Sequence, residues 1–526
     1  MNERTQGRAP RRTPSGAQAP AATGRVLITG GTVIGPDTTA PADVLVENGT
    51  ISAITGPGVL HRGDADETVD ADGCWVLPGG VDPHTHLDTL IRGHRTCDDF
   101  HRGTVAALAG GTTSVIDFCY PEPGESPLAA LHAWQARMLA QRPTADVGAH
   151  MVLVQPGEDE LAELPRLVAE GVTSIKVYMA YRGRRMTDDR GLLRILQCAA
   201  PLGITVLVHA ENGDAIDLLT AQAIDRGETA PHHHSHTRPD LLEAEAVNRI
   251  AHLGRVAGAR VYIVHVSGST ALDPISRSRA AGWDLHGETC PHYLVLDEHA
   301  LEGDLVSAAQ AVCSPPLRRT TDQDALWQAL ADGVLSTVSS DHCAFRITDQ
   351  KIMEPRFDCI LNGLPGIEQR IMLLHHFGVR TGRITPRRWS DAVSTAPARM
   401  FGLYPRKGLI APGGDADLLV FDPERRRTLT VADHHSAVDH LPYEGIEVVG
   451  APRAVLAGGR TVVRDGRPVP GLTGGGRFLL RAPAEVSAQE PQPVAAAEPG
   501  TPAPRTTVHP RFTAPRTPAT VRSESV

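Results

Sequence analysis

The sequence predicts an α/β fold: a closed (β/α)8 barrel carrying a small β-sandwich built from both chain ends. Three observations lead there. Short apolar segments recur between helix-like stretches across the centre of the chain, and both flanks are β-rich and punctuated by glycine. No glycine-rich phosphate loop follows the first central strand, as an open doubly wound sheet would want.

Composition sets the frame for these elements. Of 526 residues 41% are hydrophobic, and no apolar run approaches the ~20 residues of a membrane span, so the chain is expected to bury a large core in water. The opening MNERTQGRAPRRTPSGAQAPAATG has basic residues without an apolar stretch behind them, which makes a poor secretion signal. Residues 1–24 read as a disordered tail. The net charge of -10 comes without basic blocks, and aromatics are only 4%, which argues against a nucleic-acid surface. The eight cysteines, Cys74, Cys97, Cys119, Cys198, Cys290, Cys313, Cys343 and Cys359, include no CxxC pair and fit reduced thiols in a cytoplasm.

The first flank, residues 25–73, holds RVLITGGTVI and ADVLVENGTISAI, the N-terminal part of the sandwich. Eight candidate strands follow in the region assigned to the barrel, 74–400: CWVLPGGVD (74–82), TSVIDF (113–118), DVGAHMVLV (146–154), TSIKVYM (173–179), ITVLVHA (204–210), RVYIVHV (260–266), DLHGETC (284–290) and LSTVSSD (335–341). Between them, segments such as LAELPRLVAEG and LLEAEAVNRIAHLG have the pattern of crossover helices. The second flank, 401–481, returns to strands with DADLLVFDP and PRAVLAGGRTVVRDGRPV. From 482 to 526 the chain turns to Pro, Ala, Glu, Thr and Arg, too poor in apolar residues to offset ordering entropy, and is expected to stay disordered.

One residue stands out against the composition. Only three of the 51 basic residues are lysines, Lys176, Lys351 and Lys407, so arginine serves wherever a generic cation will do. Lys176 ends the fourth candidate strand. A strand-end lysine snorkelling to water is the plain reading. The alternative is chemical: arginine stays protonated, whereas a buried lysine amine can lose its proton and act as a nucleophile. Its neighbours favour the second reading. DPHTH places His84 and His86 on one face at the end of the first strand, His209 closes the fifth, His265 the sixth and Asp341 the eighth. Barrel active sites are assembled at these C-terminal strand ends. An amine that adds carbon dioxide becomes a carbamate whose two oxygens can bridge two cations. Four histidines, an aspartate and such a lysine (N6-carboxylysine at Lys176) make a two-metal site, which activates water between ions ~3.5–4 Å apart.

With these residues in place, the chain resembles the dihydropyrimidinase and hydantoinase family of the amidohydrolase superfamily. The match runs from about residue 25 to 481 and includes GGVDPHTHLD, DDFHRGT, KVYMAYRGRRMTDD, HAENGD, GETCPHYL, SPPLR, SDHCAF, NGLPGIEQR and PYEGIEVVG. The resemblance implies a barrel with a β-sandwich, hydrolytic opening of a cyclic amide or ureide, zinc or a similar divalent ion in both positions, and a homotetramer. Residue by residue, it makes His84, His86 and Asp341 ligands of one metal and His209 and His265 ligands of the other, bridged by carboxylated Lys176. It makes Asp341 the proton carrier and Tyr181 the donor to the developing oxyanion. Ser314 and Asn362 match positions whose backbone holds the substrate amide.

Departures bear on substrate. LDTLIRGHRTCDDF brings Arg92, His94 and Arg95 into a loop that commonly lines the pocket in this family; they select a polar or acidic substituent or face solvent. The PHHHSHTRP stretch (231–239), with four histidines and no strand alternation, reads as a surface segment outside the site. Asp88 stands where dihydroorotases carry an arginine, which counts against dihydroorotate. An allantoinase-like activity and a non-catalytic scaffold are the remaining alternatives.

Overall fold

A computed structural model describes residues 24–36 and 38–485. The segments expected to be disordered, 1–24 and 482–526, lie outside the described residues except for Gly24 and 482–485. Within that remainder the Ala482 and Ala484 N–H groups donate to the Gly402 and Gly203 carbonyls at 3.0 and 2.9 Å.

Five strands open the fold: β1 (Arg25–Ile34), β2 (Thr39–Glu47), β3 (Thr50–Thr55), β4 (Glu67–Asp70) and β5 (Trp75–Pro78). The barrel strands are β6 (Gly80–Thr85), β9 (Thr112–Cys119), β10 (Asp146–Val152), β11 (Ser174–Tyr178), β12 (Thr205–His209), β13 (Val261–Ile263), β14 (Leu285–Thr289) and β15 (Thr337–Val338). A small hairpin of β7 (Leu90–Ile91) and β8 (His94–Arg95) is inserted after β6. After the barrel come β16 (Leu418–Thr428), β17 (Glu447–Ala457), β18 (Arg460–Arg464) and β19 (Arg467–Pro468).

The flanking strands join in the order β19-β18-β17-β16-β5-β1-β2-β3, with β4 beside β1. The seam between the chain ends is the antiparallel pair of β16 and β5, where Leu418 faces Pro78. This sheet has its own core, in which Ile28, Val44 and Val76 from one end meet Leu418, Val420 and Leu456 from the other. The eight barrel strands run parallel in the order β15-β14-β13-β12-β11-β10-β9-β6, and a bridge from Thr85 to His342 closes the ring. Every residue of β9, β10, β11 and β12 is buried, as parallel strands enclosed on both faces require.

Two expectations are refined. The stretch 74–82 is two strands, because Trp75–Pro78 pairs into the outer sheet and Gly80–Thr85 into the barrel. Gly79 marks the crossing: a Cβ there would lie 2.3 Å from Thr113 Oγ1, so only glycine lets the chain pass so close to β9. LAELPRLVAEG is also not one helix but parts of two, Glu158–Ala162 and Leu164–Ala169, with Pro165 in the first turn of the second. LLEAEAVNRIAHLG lies within a single helix, Asp240–Ala257, ended by Gly258 at φ +66°.

All three lysines are buried. Lys351 Nζ donates to the carbonyls of Val312, Leu361 and Gly363 at 3.1, 3.0 and 2.5 Å. Lys407 Nζ sits among Asp146 (2.8 Å), Asp415 (3.2 Å) and Asp417, joining the start of β10 to the segment entering β16. Those three carboxylates are close enough together to hold a cation, and the Lys407 ammonium takes that place. All eight cysteines are free thiols. Among the described residues no helix is long and apolar enough to cross a membrane.

Candidate active site

The expected site residues come together at the C-terminal ends of the barrel strands. His84 lies in β6 with His86 just beyond it, Lys176 in the middle of β11 and His209 at the end of β12. His265 and Asp341 follow β13 and β15 in left-handed backbone conformations, at φ +43° and +46°. Such conformations are uncommon outside glycine and are concentrated at functional sites. Asp341 Oδ1 is 3.2 Å from His84 Nε2 and 3.3 Å from His86 Nε2. His209 Nδ1 is 2.9 Å from His265 Nε2, and the His84 and His265 rings are 5.5 Å apart.

Two buried carboxylates decide what these histidines present to one another. Glu288 Oε1 lies 2.5 Å from His84 Nδ1, and Glu211 Oε2 lies 2.7 Å from His209 Nε2. A carboxylate only accepts, so each fixes the proton on the outer nitrogen and leaves the inner one bare. The bare His84 Nε2 then points at a carboxylate oxygen, and the bare His209 Nδ1 points at a second imidazole. The Nδ1 of His265, buried as well, has no hydrogen-bond partner. Lone pairs aimed at a common point, each backed by a carboxylate, make the donor set of a cation site. His84, His86 and Asp341 could hold one ion, and His209 with His265 another.

Lys176 sits between the two groups, its Nζ 5.1 Å from the Phe118 ring centre and 5.3 Å from that of Tyr178. Burial pulls its amine down to about 8, against the opposing pull of the Asp341 and Glu288 charges. Burial pulls Lys351 equally low, but that amine spends its protons on three carbonyls. Lys176 faces aromatic rings and imidazoles instead, and no hydrogen bond holds its amine in the protonated form.

Around this centre is a cavity of about 580 Å3. Tyr181 lines it at φ +70°, with its ring 5.1 Å from that of His209. Burial raises its phenol, which keeps it a proton donor at neutral pH. Asn362 Nδ2 donates to Ser314 Oγ at 2.8 Å on the same wall.

Several residues in and behind the cavity wall were not legible from the motifs. Glu211 also accepts from Arg238 Nη1 at 2.7 Å; burial opposes its charge, but Arg238 and His209 outweigh that and hold its carboxyl well below the usual range. Glu288 accepts as well from the Tyr262 hydroxyl at 2.8 Å. Tyr120 Oη reaches His86 Nδ1 at 3.3 Å. The PHHHSHTRP stretch is not simply a surface segment. It forms a short helical turn, His233–His236, from which buried His234 enters the cavity wall, donating from Nε2 to the Cys313 carbonyl at 2.7 Å. Packing of that turn over the 313–314 segment drives it inward. Of the departing loop Ile91 and Arg92 line the cavity, whereas His94 and Arg95 do not. Arg95 turns away to pair with buried Asp88 at 3.1 Å, together with Arg137 at 2.8 Å, so Asp88 is a structural anchor.

This constellation sits on a chain whose residues 75–462 match the amidohydrolase family. The chain belongs to that family. It is 45% identical over 458 residues to a D-hydantoinase of Geobacillus stearothermophilus, covering 87% of this chain and 96% of that protein. It is 43% identical over 461 residues to a D-hydantoinase of Streptomyces coelicolor, covering 87% and 98%. Among solved structures, a dihydropyrimidinase from Brevibacillus agri superposes with a TM-score of 0.85 at 43% identity, covering 88% of this chain and 99% of that one. Members of the amidohydrolase family are metal-dependent hydrolases, and in this member His84, His86 and Asp341 form a group that could hold an ion.

Proposed function

We propose that this amidohydrolase opens 5-substituted hydantoins or 5,6-dihydropyrimidines by hydrolysis, releasing N-carbamoyl amino acids. The observation that carries the reading is the pair of inward-facing histidine groups, each with its outer nitrogen tied to a buried carboxylate, on either side of Lys176. His84, His86 and Asp341 would hold one divalent cation and His209 with His265 the other, with Lys176, carboxylated on Nζ, as a ligand available to both. Zinc suits this mixed imidazole and carboxylate set. When bound, the cations supply Lewis acidity toward the attacking water and toward the ring carbonyl.

The remaining steps belong to the chain. Glu288 and Glu211 hold the imidazoles in one tautomer and orientation. Asp341 takes the proton of the attacking water and returns it to the departing ring nitrogen. Tyr181, kept protonated by burial, donates to the carbonyl oxygen as charge builds there. The backbone at Ser314 and Asn362 holds the amide edge of the ring, beside His234. The high identity to hydantoinases supports the ring class, and by the same likeness we read the working form as a homotetramer in the cytoplasm.

The test is turnover of dihydrouracil, a 5-alkylhydantoin, a 5-arylhydantoin and allantoin by zinc-reconstituted protein, with metal measured on the same sample. Opening of one of the first three with about two ions per chain is the expected result. Turnover of allantoin alone would refute the ring assignment, and protein without metal or turnover would refute the hydrolase.

A further inference from the structure

The outer wall of the cavity carries three guanidinium groups, from Arg92, Arg184 and Arg185. Among the described residues none of the three is paired with a carboxylate. Arg92 Nη1 donates to the Asp358 carbonyl at 2.8 Å. Arg185 lies 4.1 Å above the Tyr120 ring with Nη2 3.4 Å from the Leu90 carbonyl, and Arg184 lies 6.0 Å from the centre of Tyr181. The other charges on this wall are neutralised nearby: Arg238 by Glu211 at 2.7 Å, and Asp358 by Arg356 at 2.6 Å. Among the described residues lining the cavity, apart from Asp341, only Asp217 is left to oppose three arginines. Burial, and after it the neighbouring Arg92 charge, pull Arg184 below its ordinary value.

The backbone holds the three in place. Arg92 and Gly93 turn the hairpin between β7 and β8 at φ +51° and +83°. A two-residue turn with both central residues left-handed favours Asn, Asp or Gly first, so arginine sits there against local preference. On the opposite loop the N–H groups of Arg184, Arg185 and Met186 all donate to the Tyr181 carbonyl, at 3.0, 3.0 and 3.2 Å. The tyrosine under Arg185 is the one that reaches His86. The guanidinium is thus one aromatic ring away from the reacting centre.

We propose that this enzyme selects rings whose substituent carries a carboxylate, which Arg92, Arg184 and Arg185 receive at the cavity mouth. The inference rests on the ring-opening reading above and adds the class of substituent. Guanidinium groups match the geometry of a carboxylate, and an anion among three unpaired cations relieves a repulsion that a neutral substituent leaves standing. The ring such a site takes is the hydantoin of an acidic amino acid.

The experiment compares kcat/KM for 5-(carboxyethyl)hydantoin with that for its isosteric amide, 5-(carbamoylethyl)hydantoin, in the zinc-loaded parent and in Arg92→Gln, Arg184→Gln and Arg185→Gln. The acid-to-amide ratio within one protein cancels any general damage from a substitution. The expected ratio in the parent is at least about tenfold at low salt, narrowing as salt rises, and falling toward one in Arg185→Gln and in the triple variant. A parent ratio near one while both rings are opened would overturn the inference and leave the hydrolase reading intact. A high ratio that none of the variants lowers would equally overturn it. Failure to open either ring by protein that opens another hydantoin or dihydrouracil would overturn the inference alone, and failure on every ring would refute the hydrolase reading and the inference with it.

Discussion

Glu211→Gln tests how far the proposed ion at His209 and His265 depends on the carboxylate behind His209. Glu211 Oε2 takes two short hydrogen bonds, 2.7 Å from His209 and 2.7 Å from Arg238. Glutamine keeps the shape and an accepting oxygen but removes the charge. Hydrogen bonds to a charged group are worth about 1.5–3 kcal/mol against about 1 for neutral ones, so the two bonds together lose roughly 1–4 kcal/mol. Part of that falls on the Arg238 pair and on folding. The share on His209, by analogy with other outer residues of metal sites, is a 10–100-fold weaker ion, or about 1.4–2.7 kcal/mol. The assay is a titration of metal-free protein in buffered zinc, with metal per chain read by mass spectrometry. At a free zinc level that just fills the parent, the variant is expected to hold about one ion where the parent holds two, and kcat to fall in step. Both ions retained within about threefold of parent affinity would refute the claim that Glu211 holds His209 to its task.

Lys176→Ala is expected to lose most metal and activity, with partial rescue by acetate or propionate supplied as a stand-in for the carbamate; full activity without rescue would remove the bridge. Tyr181→Phe is expected to lower kcat about 100-fold to 1000-fold with little change in KM, since its hydroxyl acts on charge that exists only in the transition state; an effect on KM alone would make Tyr181 a binding residue. Lys407→Met leaves Asp146, Asp415 and Asp417 with Arg477 and, at 3.8 Å from Asp415, Arg406 as counter-charges. It should cost on the order of 3–5 kcal/mol of stability, and a melting temperature within about 1 °C of the parent would show that the cluster is not needed.

Much of the barrel and its centre was legible because parallel strands buried on both faces leave unbroken apolar runs, and functional side chains gather at one end of each. His84 and His86, two apart in a strand, had to share a face. What was not legible depends on distance through space. Glu288 meets His84 across 204 residues of chain, and nothing in DLHGETC signals it. Glu211 did leave a trace, since it follows His209 by two residues and so leaves the strand on the same side, but it lies beyond the apolar run that marks the strand. The division of 74–82 turned on a single close approach at Gly79, which no hydrophobic pattern records. His234 and Arg238 came from a polar stretch whose inward turn is decided by the segment beneath it. Asp415 and Asp417 lie in DADLLVFDP of the second flank, and nothing local to it signals that Lys407 and the distant Asp146 close around them.

The burial of all three lysines gives the folded protein an unusual outer chemistry. A surface that takes its positive charge from arginine has no side-chain amine to offer an acylating reagent, an aldehyde or an amine-directed cross-linker. Lysine acylation of this protein therefore reports opening of the fold. Lys351 and Lys407 become reactive only when packed structure comes apart. Lys176 alone of the three lines a cavity that small molecules enter, and its nitrogen is open to an electrophile there only while it carries no carboxylate.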